Sequence, residues 1–333
     1  MLKISYDLAA GAWFEPDYTL RLAVEAEKAG FDAVWSGDHV LPWFHTHAHV
    51  PQNWVMLTAA AERTKRIPVG SDVTVPMFKY HPIVVAQAFA TMSCIYPGRV
   101  LLGVGTGEAI NEAPFLHGAW PSWKERAETL IEALSLMRKF WTSENYFDFE
   151  GNYFKVKGLF CYDKPKKPIP IYWSAFGPKS AYLAGQHADH LMTAVANLES
   201  AQKSIISKFK EGMRSASKNL GKAQLVVYID GGYGNVDKLL KKYRICAGSM
   251  IPENTNERDP RKIEASASKL RDEFILERVC LTSSPRKLTE LFESNIDFGF
   301  NHIIFGDWGY NPLATIRMFA KKILPHFRRL KRI

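Results

Sequence analysis

Two short segments carry the residue types that proton and electron chemistry needs. The first runs from an apolar stretch, Val100-Leu-Leu102, into Gly103-Val-Gly-Thr-Gly-Glu-Ala-Ile-Asn-Glu112. A strand ending in alternate glycines lets backbone approach a ligand, because no Cβ intervenes and positive φ is open. Glu108 then offers an ionisable group at that strand's mouth. The second segment, Ser36-Gly-Asp-His-Val-Leu-Pro-Trp43, places the carboxylate of Asp38, the imidazole of His39 and the indole of Trp43 close together. Such a trio can form a desolvated, pKa-tuned site. Each also has a plainer reading: His39 as a rim histidine, Glu108 as a first-turn carboxylate facing a helix dipole, Asn111 as a local cap. His45, His47 and His49 follow in an irregular loop with no Cys or carboxylate set beside them, so no metal site is expected.

Positioning these groups requires a scaffold, and the chain alternates short apolar runs with amphipathic segments. Strands are expected at 2–6, 33–36, 67–73, 100–104, 169–173, 190–193, 225–229 and 301–305. Helical spacing covers 18–29, 83–95, 123–141, 199–217, 236–247, 284–295 and 312–327. Eight strands with intervening helices in 333 residues, without a low-complexity linker, point to one (β/α)₈ barrel over residues 1–333. The polar stretch from Glu253 to Lys269 reads as an insertion, and the segment 247–278 is expected to cover the C-terminal face. In such barrels function collects at the C-terminal strand ends. Asp38 and His39, Asp72 to Thr74, the glycine loop with Glu108, and Ser174 to Lys179 all fall there.

Several function classes are excluded. Gly103-x-Gly105-x-Gly107 is not the dinucleotide fingerprint, and no acidic residue ends a second strand at the required distance. No Gly-Lys-Ser/Thr follows, so there is no P-loop. The net charge of +9 owes four charges to His326-Phe-Arg-Arg-Leu-Lys-Arg-Ile333, a solvated helix end rather than a nucleic-acid site. No run of about 18 apolar residues suggests a membrane span, and no leader precedes the first strand, so a cytoplasmic protein is expected. Cysteines 94, 161, 246 and 280 are too scattered for a metal knuckle and read as reduced, mostly buried thiols.

The segments 36–43 and 103–112, with Ala86-Gln-Ala-Phe-Ala-Thr-Met92 and Tyr96-Pro-Gly-Arg99, resemble the deazaflavin-dependent branch of the luciferase-like superfamily. The chain is similar to coenzyme F420-dependent secondary alcohol and glucose-6-phosphate dehydrogenases from its first strand to its last helix. Gly177-Pro-Lys-Ser and Asp189-His-Leu-Met-Thr193 resemble the alcohol dehydrogenase side more. The resemblance implies a homodimeric barrel holding F420, with a non-proline cis peptide at Asp72-Val73. It implies a cofactor lined by Asp38, Asp72, Val73, Thr106, Gly107, Asn111, Phe176 and Gly177. Lys65, Arg66 or Lys79 would meet the anionic tail.

A secondary hydroxyl is oxidised when a base takes its O–H proton as the carbinol C–H delivers hydride. On the resemblance, His39 is the candidate base, Trp43 screens the developing charge, and Glu108 protonates or orients the cofactor nitrogen. Sugar-phosphate members use a threonine, two lysines and an arginine around the phosphate. Here those positions hold Ala194, Asn197, Asn254 and Arg278, so only the arginine matches. A dianionic phosphate would lose charge-assisted bonds worth about 1.5–3 kcal/mol each. A small hydroxyl substrate is therefore expected ahead of a sugar phosphate. An FMN-dependent luciferase-like monooxygenase is the more distant alternative.

Overall fold

The computed structural model describes residues 2–8, 13–194 and 199–330. In chain order the strands are β1 (Lys3–Asp7), β2 (Val34–Ser36), β3 (Val69–Thr74), β4 (Val100–Val104), β5 (Phe147–Glu150), β6 (Lys155–Leu159), β7 (Ile171–Ser174), β8 (His190–Thr193), β9 (Leu225–Tyr233), β10 (Cys280–Thr282) and β11 (His302–Asp307). Strands β1, β2, β3, β4, β7, β8, β9 and β11 pair in parallel in that order, and β11 pairs back to β1. The fold is a closed (β/α)₈ barrel. All eight expected strands are its staves. Two additions were not expected: the antiparallel β5–β6 hairpin, and β10, which pairs with the C-terminal extension of β9.

The helices are α1 (Pro16–Ala29), α2 (Asn53–Arg63), α3 (Pro82–Ile95), α4 (Ala109–Glu112), α5 (Trp123–Thr142), α6 (Pro178–His187), α7 (Glu199–Ser215), α8 (Val236–Tyr243), α9 (Pro260–Ser266), α10 (Asp272–Leu276), α11 (Pro285–Asp297), α12 (Pro312–Met318) and α13 (Leu324–Leu330). Six of them, α1, α3, α6, α9, α11 and α12, begin on proline, whose missing N–H costs nothing in a first turn. The helix expected over 312–327 is instead α12 and α13 joined by a π-turn at Phe319–Ile323. Pro325 explains the break, because its ring would crowd the carbonyl one turn back, at Lys321.

The core has two layers. Apolar residues at helical spacing on α5, such as Leu130, Leu134, Met137 and Trp141, pack between barrel and helices. Inside the barrel, Trp35, Leu101, Tyr172, Met192, Val226 and Ile304 fill the lumen. Gly70 leaves room for Trp35, since a Cβ there would sit 2.4 Å from the indole. With the lumen floor packed shut, only the mouth at the strand C-termini is open to chemistry. The four cysteines are free; Cys161 and Cys246 are buried, whereas Cys94 and Cys280 are half-buried.

Segment 247–278 lies over that mouth, as expected. The apolar cluster of Phe44, Tyr243, Ala247, Ile275 and Trp308 ties it to the loop after β2. Glu264 completes the tie by accepting from the His45 and Thr46 amides at 2.7 and 2.8 Å. The histidine-rich loop is thus held by a carboxylate through its backbone. No group of three or more potential metal ligands occurs among the described residues. Among them, too, no helix is long and apolar enough to cross a membrane.

Candidate active site

The ends of β2, β3 and β4 build one wall of the mouth. The β3–β4 register breaks between Ser71 and Thr74, and the Asp72–Val73 peptide is cis, where the resemblance implied it. The glycines of β4 serve this bulge first. A Cβ on Gly103 would fall 2.0 Å from the Ser71 carbonyl oxygen, and one on Gly105 would fall 2.8 Å from Val73 Cγ2. Gly107 has φ +83°, and a Cβ there would crowd Glu112. The glycine loop therefore lets β4 accept the bulge and turn into α4, a packing role that the expectation of direct ligand approach did not include.

Below the rim sits a buried ionic cluster. The Lys79 ammonium, 1% exposed, lies 3.4 Å from Asp38 Oδ1 and 3.6 Å from Glu112 Oε1. It also donates to the Asp38 carbonyl at 2.8 Å. Tyr80 donates to Asp38 at 3.3 Å, and burial with that carboxylate pushes its pKa to about 12. Lys79 is thus consumed inside the protein and is not available for an anionic tail. Lys65 and Arg66 precede β3 at the opposite, N-terminal end of the barrel, where their amides cap the Glu27 carboxylate. They cannot reach the mouth.

His39 is tied to the α4 turn by Asn111, which is 3% exposed. Its Oδ1 accepts from the Val40 and Leu41 amides at 2.8 and 3.2 Å, and its Nδ2 lies 2.8 Å from His39 Nδ1. The Asn111 backbone amide donates to the Glu108 carbonyl at 3.0 Å, one turn back. The α4 turn that begins at Glu108 therefore also carries the amide that holds His39. The His39 ring meets Trp43 edge-on, with centroids 6.1 Å apart. Burial lowers the His39 pKa, and nearby Lys79 lowers it further. Glu108 is exposed at the mouth yet crowded by protein atoms; desolvation there, with the Glu112 carboxylate beside it, pushes it up to about 8. Desolvation also raises Glu112 to about 7, although it accepts the Glu108 amide at 2.6 Å. The wall can hold a proton near neutral pH.

The facing wall adds carboxyls that the sequence pattern did not single out. Asp7 accepts from the Tyr228 hydroxyl, and Asp230 accepts from Trp308 Nε1 at 2.6 Å. Burial raises Asp230 to about 6 and Asp72 well above the carboxylate range, Asp7 adding to the latter. Both Asp72 carboxyl oxygens and Asp38 Oδ2 are buried without a hydrogen-bond partner. Asp7 closes β1, and Asp230 comes just after the expected end of the 225–229 strand. The rule of C-terminal strand ends, applied to every strand, finds them.

The remaining expected site residues are more dispersed. Phe176, 63% exposed, and Gly177, which caps α6, stand beyond β7; Thr106 and Gly107 are half-buried at the loop after β4. Ala194 is exposed past the end of β8, and Asn197 lies outside the described residues. Asn254 spends its amide on the Gly248 carbonyl and Ser266 hydroxyl, both at 2.7 Å. Arg278 bonds the Phe274 carbonyl at 2.9 Å, pairs with Glu277 at 3.4 Å and stacks on the Phe274 ring. Arg278, the cation expected to meet a substrate anion, already has local partners.

The sequence profile of the luciferase-like monooxygenase family matches residues 3–302. The chain belongs to that family. Among its luciferase-like relatives, an F420-dependent glucose-6-phosphate dehydrogenase of Rhodococcus erythropolis is 36% identical, the match covering 99% of this chain and 98% of that one. A protein of the same description from Mycolicibacterium gilvum is 37% identical, with 99% of both chains covered. The solved structure of an F420-dependent secondary alcohol dehydrogenase, in complex with an F420-acetone adduct, superposes with a TM-score of 0.91 at 35% identity. That superposition covers 97% of this chain and 98% of the other.

Proposed function

We propose that this luciferase-like protein is an F420-dependent dehydrogenase that moves hydride between a secondary alcohol, or a related hydroxyl substrate, and the deazaflavin. The observation that carries the reading is the amide of Asn111, one turn beyond Glu108, holding His39 at the mouth of a barrel whose relatives use F420. The residues present suit that cofactor. Unpartnered oxygens on Asp72 and Asp38 suit the polar edge of a heterocycle, and the Val73 bulge offers an apolar wall to its face. Asp72, Val73, Thr106, Gly107 and Asn111 would hold the ring, with Phe176 and Gly177 across from them. When bound, F420 supplies the carbon that accepts or returns hydride. The protein's part is to bind the substrate oxygen, move its proton through Glu108, and screen the site with Trp43. By resemblance, the reading extends to a cytoplasmic homodimer in which residues 1–333 act as one barrel.

The relatives' descriptions favour a second substrate, glucose 6-phosphate. The described side chains favour the alcohol. At the positions where the resemblance puts a phosphate, Asn254 and Arg278 are engaged locally and Ala194 has no polar side chain. A phosphate dianion without free cations to meet it loses the charge-assisted bonds that would offset its desolvation.

Purified protein discriminates. F420 fluorescence is expected to quench on binding whereas FMN shows no comparable affinity, and F420 absorbance is expected to fall with 2-propanol but not with glucose 6-phosphate. Reduction by glucose 6-phosphate alone would transfer the assignment to the sugar-phosphate reading. Binding of FMN alone would overturn both.

A further inference from the structure

Asn111 does more than tie His39 to the α4 turn. An amide presents an oxygen on one side and an NH₂ on the other, and only its hydrogen-bond partners decide which is which. Here two backbone N–H groups, those of Val40 and Leu41, converge on one end and can only donate. That end must be the oxygen. The NH₂ therefore points at His39 Nδ1, 2.8 Å away, and a donor there requires a lone pair on Nδ1. The competing Leu41 carbonyl, which would favour a proton on Nδ1, is farther at 3.2 Å. The neutral ring then carries its proton on Nε2.

We propose that Asn111 is a positioning residue that holds His39 as a neutral imidazole protonated on Nε2, so that His39 meets the substrate oxygen as a hydrogen-bond donor and proton transfer falls to Glu108. In alcohol oxidation the carbinol C–H electron pair leaves with its hydrogen as hydride to the deazaflavin. The C–O bond becomes a carbonyl, and the hydroxyl proton passes to the Glu108 carboxylate. His39 Nε2–H stabilises the oxygen throughout and stays neutral. This rests on the dehydrogenase reading for the identity of the oxygen, and it replaces His39 as the base. A neutral imidazole that polarises an oxygen beside a carboxylate base is an established division of labour in other enzymes.

The groups facing His39 are Asp38 and the Leu41 carbonyl from its own loop, Lys79 from the β3–α3 loop, Asn111 from α4, and the Trp43 ring. Of these, Asn111 is the one whose polarity can be inverted without changing its shape. In Asn111→Asp the NH₂ becomes a carboxylate oxygen, which calls for a proton on Nδ1 and favours imidazolium.

The test is nitrogen-15 NMR of histidine-labelled protein without cofactor, His39 being assigned by its loss in His39→Gln. The native protein is expected to show His39 neutral and protonated on Nε2 from pH 6 to 8. Asn111→Asp is expected to move the proton to Nδ1 and raise the His39 pKa by about 1 or more. A native His39 protonated on Nδ1 overturns the proposal by itself, even if the variant fails to fold. A folded Asn111→Asp with unchanged tautomer and pKa overturns it too. Because no F420 is present, failure here leaves the dehydrogenase reading standing. Failure to reduce F420 would remove that reading without altering the tautomer.

Discussion

In Glu108→Gln, turnover of a secondary alcohol falls by about 10²- to 10⁴-fold, the usual contribution of a general base, while F420 binding persists. Glutamine keeps the size and hydrogen-bonding reach of the side chain and removes only its capacity to take a proton. Stopped-flow reduction of F420, set beside a fluorescence titration, separates the two effects. The pH dependence carries the sign. Glu108 accepts a proton only as the carboxylate, and desolvation with the neighbouring Glu112 charge puts its pKa at about 8. Alcohol oxidation therefore accelerates with rising pH and levels off above about 8, whereas the reverse reaction, which needs the acid form, slows through the same window. Glu108→Gln flattens both profiles. A variant that loses F420 binding in proportion to turnover would make Glu108 a binding residue.

The second large effect is on stability. Lys79→Met is expected to destabilise the protein by about 3–5 kcal/mol, as breaking a buried ion pair from one side does. Asp38 and Glu112 would lose their shared counter-ion at 3.4 and 3.6 Å, with almost no solvent to replace it. The ammonium's bond to the Asp38 carbonyl would go as well. Without the cation, the Glu112 carboxyl, already raised to about 7 by burial, is pushed further up. The deficit is then smaller near pH 4, where Glu112 is protonated in the folded protein and about two-thirds so in the unfolded chain, and grows as pH rises. Urea unfolding of both proteins at pH 4.5 and 7.5 measures it. An equal deficit at the two pH values would show that lost packing, not the uncompensated carboxylates, sets the cost.

Most of the barrel is legible in the sequence because each stave is a short run of β-branched or apolar residues bounded by helical spacing. All eight coincide with strands. The β5–β6 hairpin escapes that pattern: its strands are half-exposed, and the turn signal Gly151-Asn152 sits in a segment with no helix after it. The split of the last helix is local chemistry, visible in Pro325.

The site divides in the same way. Asp38, His39, Glu108, Asp72 and Val73 are found by inspecting the residues at the C-terminal end of each strand, whereas the cis bulge between Asp72 and Val73 follows only from the family resemblance. Asp7 and Asp230 obey the same rule. Glu112, four residues beyond Glu108, matters because Lys79 and the Glu108 amide converge on it, a tertiary fact no spacing contains. Lys65 and Arg66 look like cations near a site only until the barrel's polarity places them at its other end. The engagement of Asn254 and Arg278 depends on how segment 247–278 folds on itself, so neither could be read from position alone.

The central claim is that hydride passes directly from a carbinol carbon to F420 in this barrel. It is tested most directly with 2-propanol deuterated at carbon 2, by mass spectrometry of the F420 reduced in a single turnover. One deuterium in the reduced cofactor, undiluted by solvent hydrogen, is the result predicted. Reduced F420 without deuterium, or no reduction by any secondary alcohol despite tight F420 binding, would contradict it.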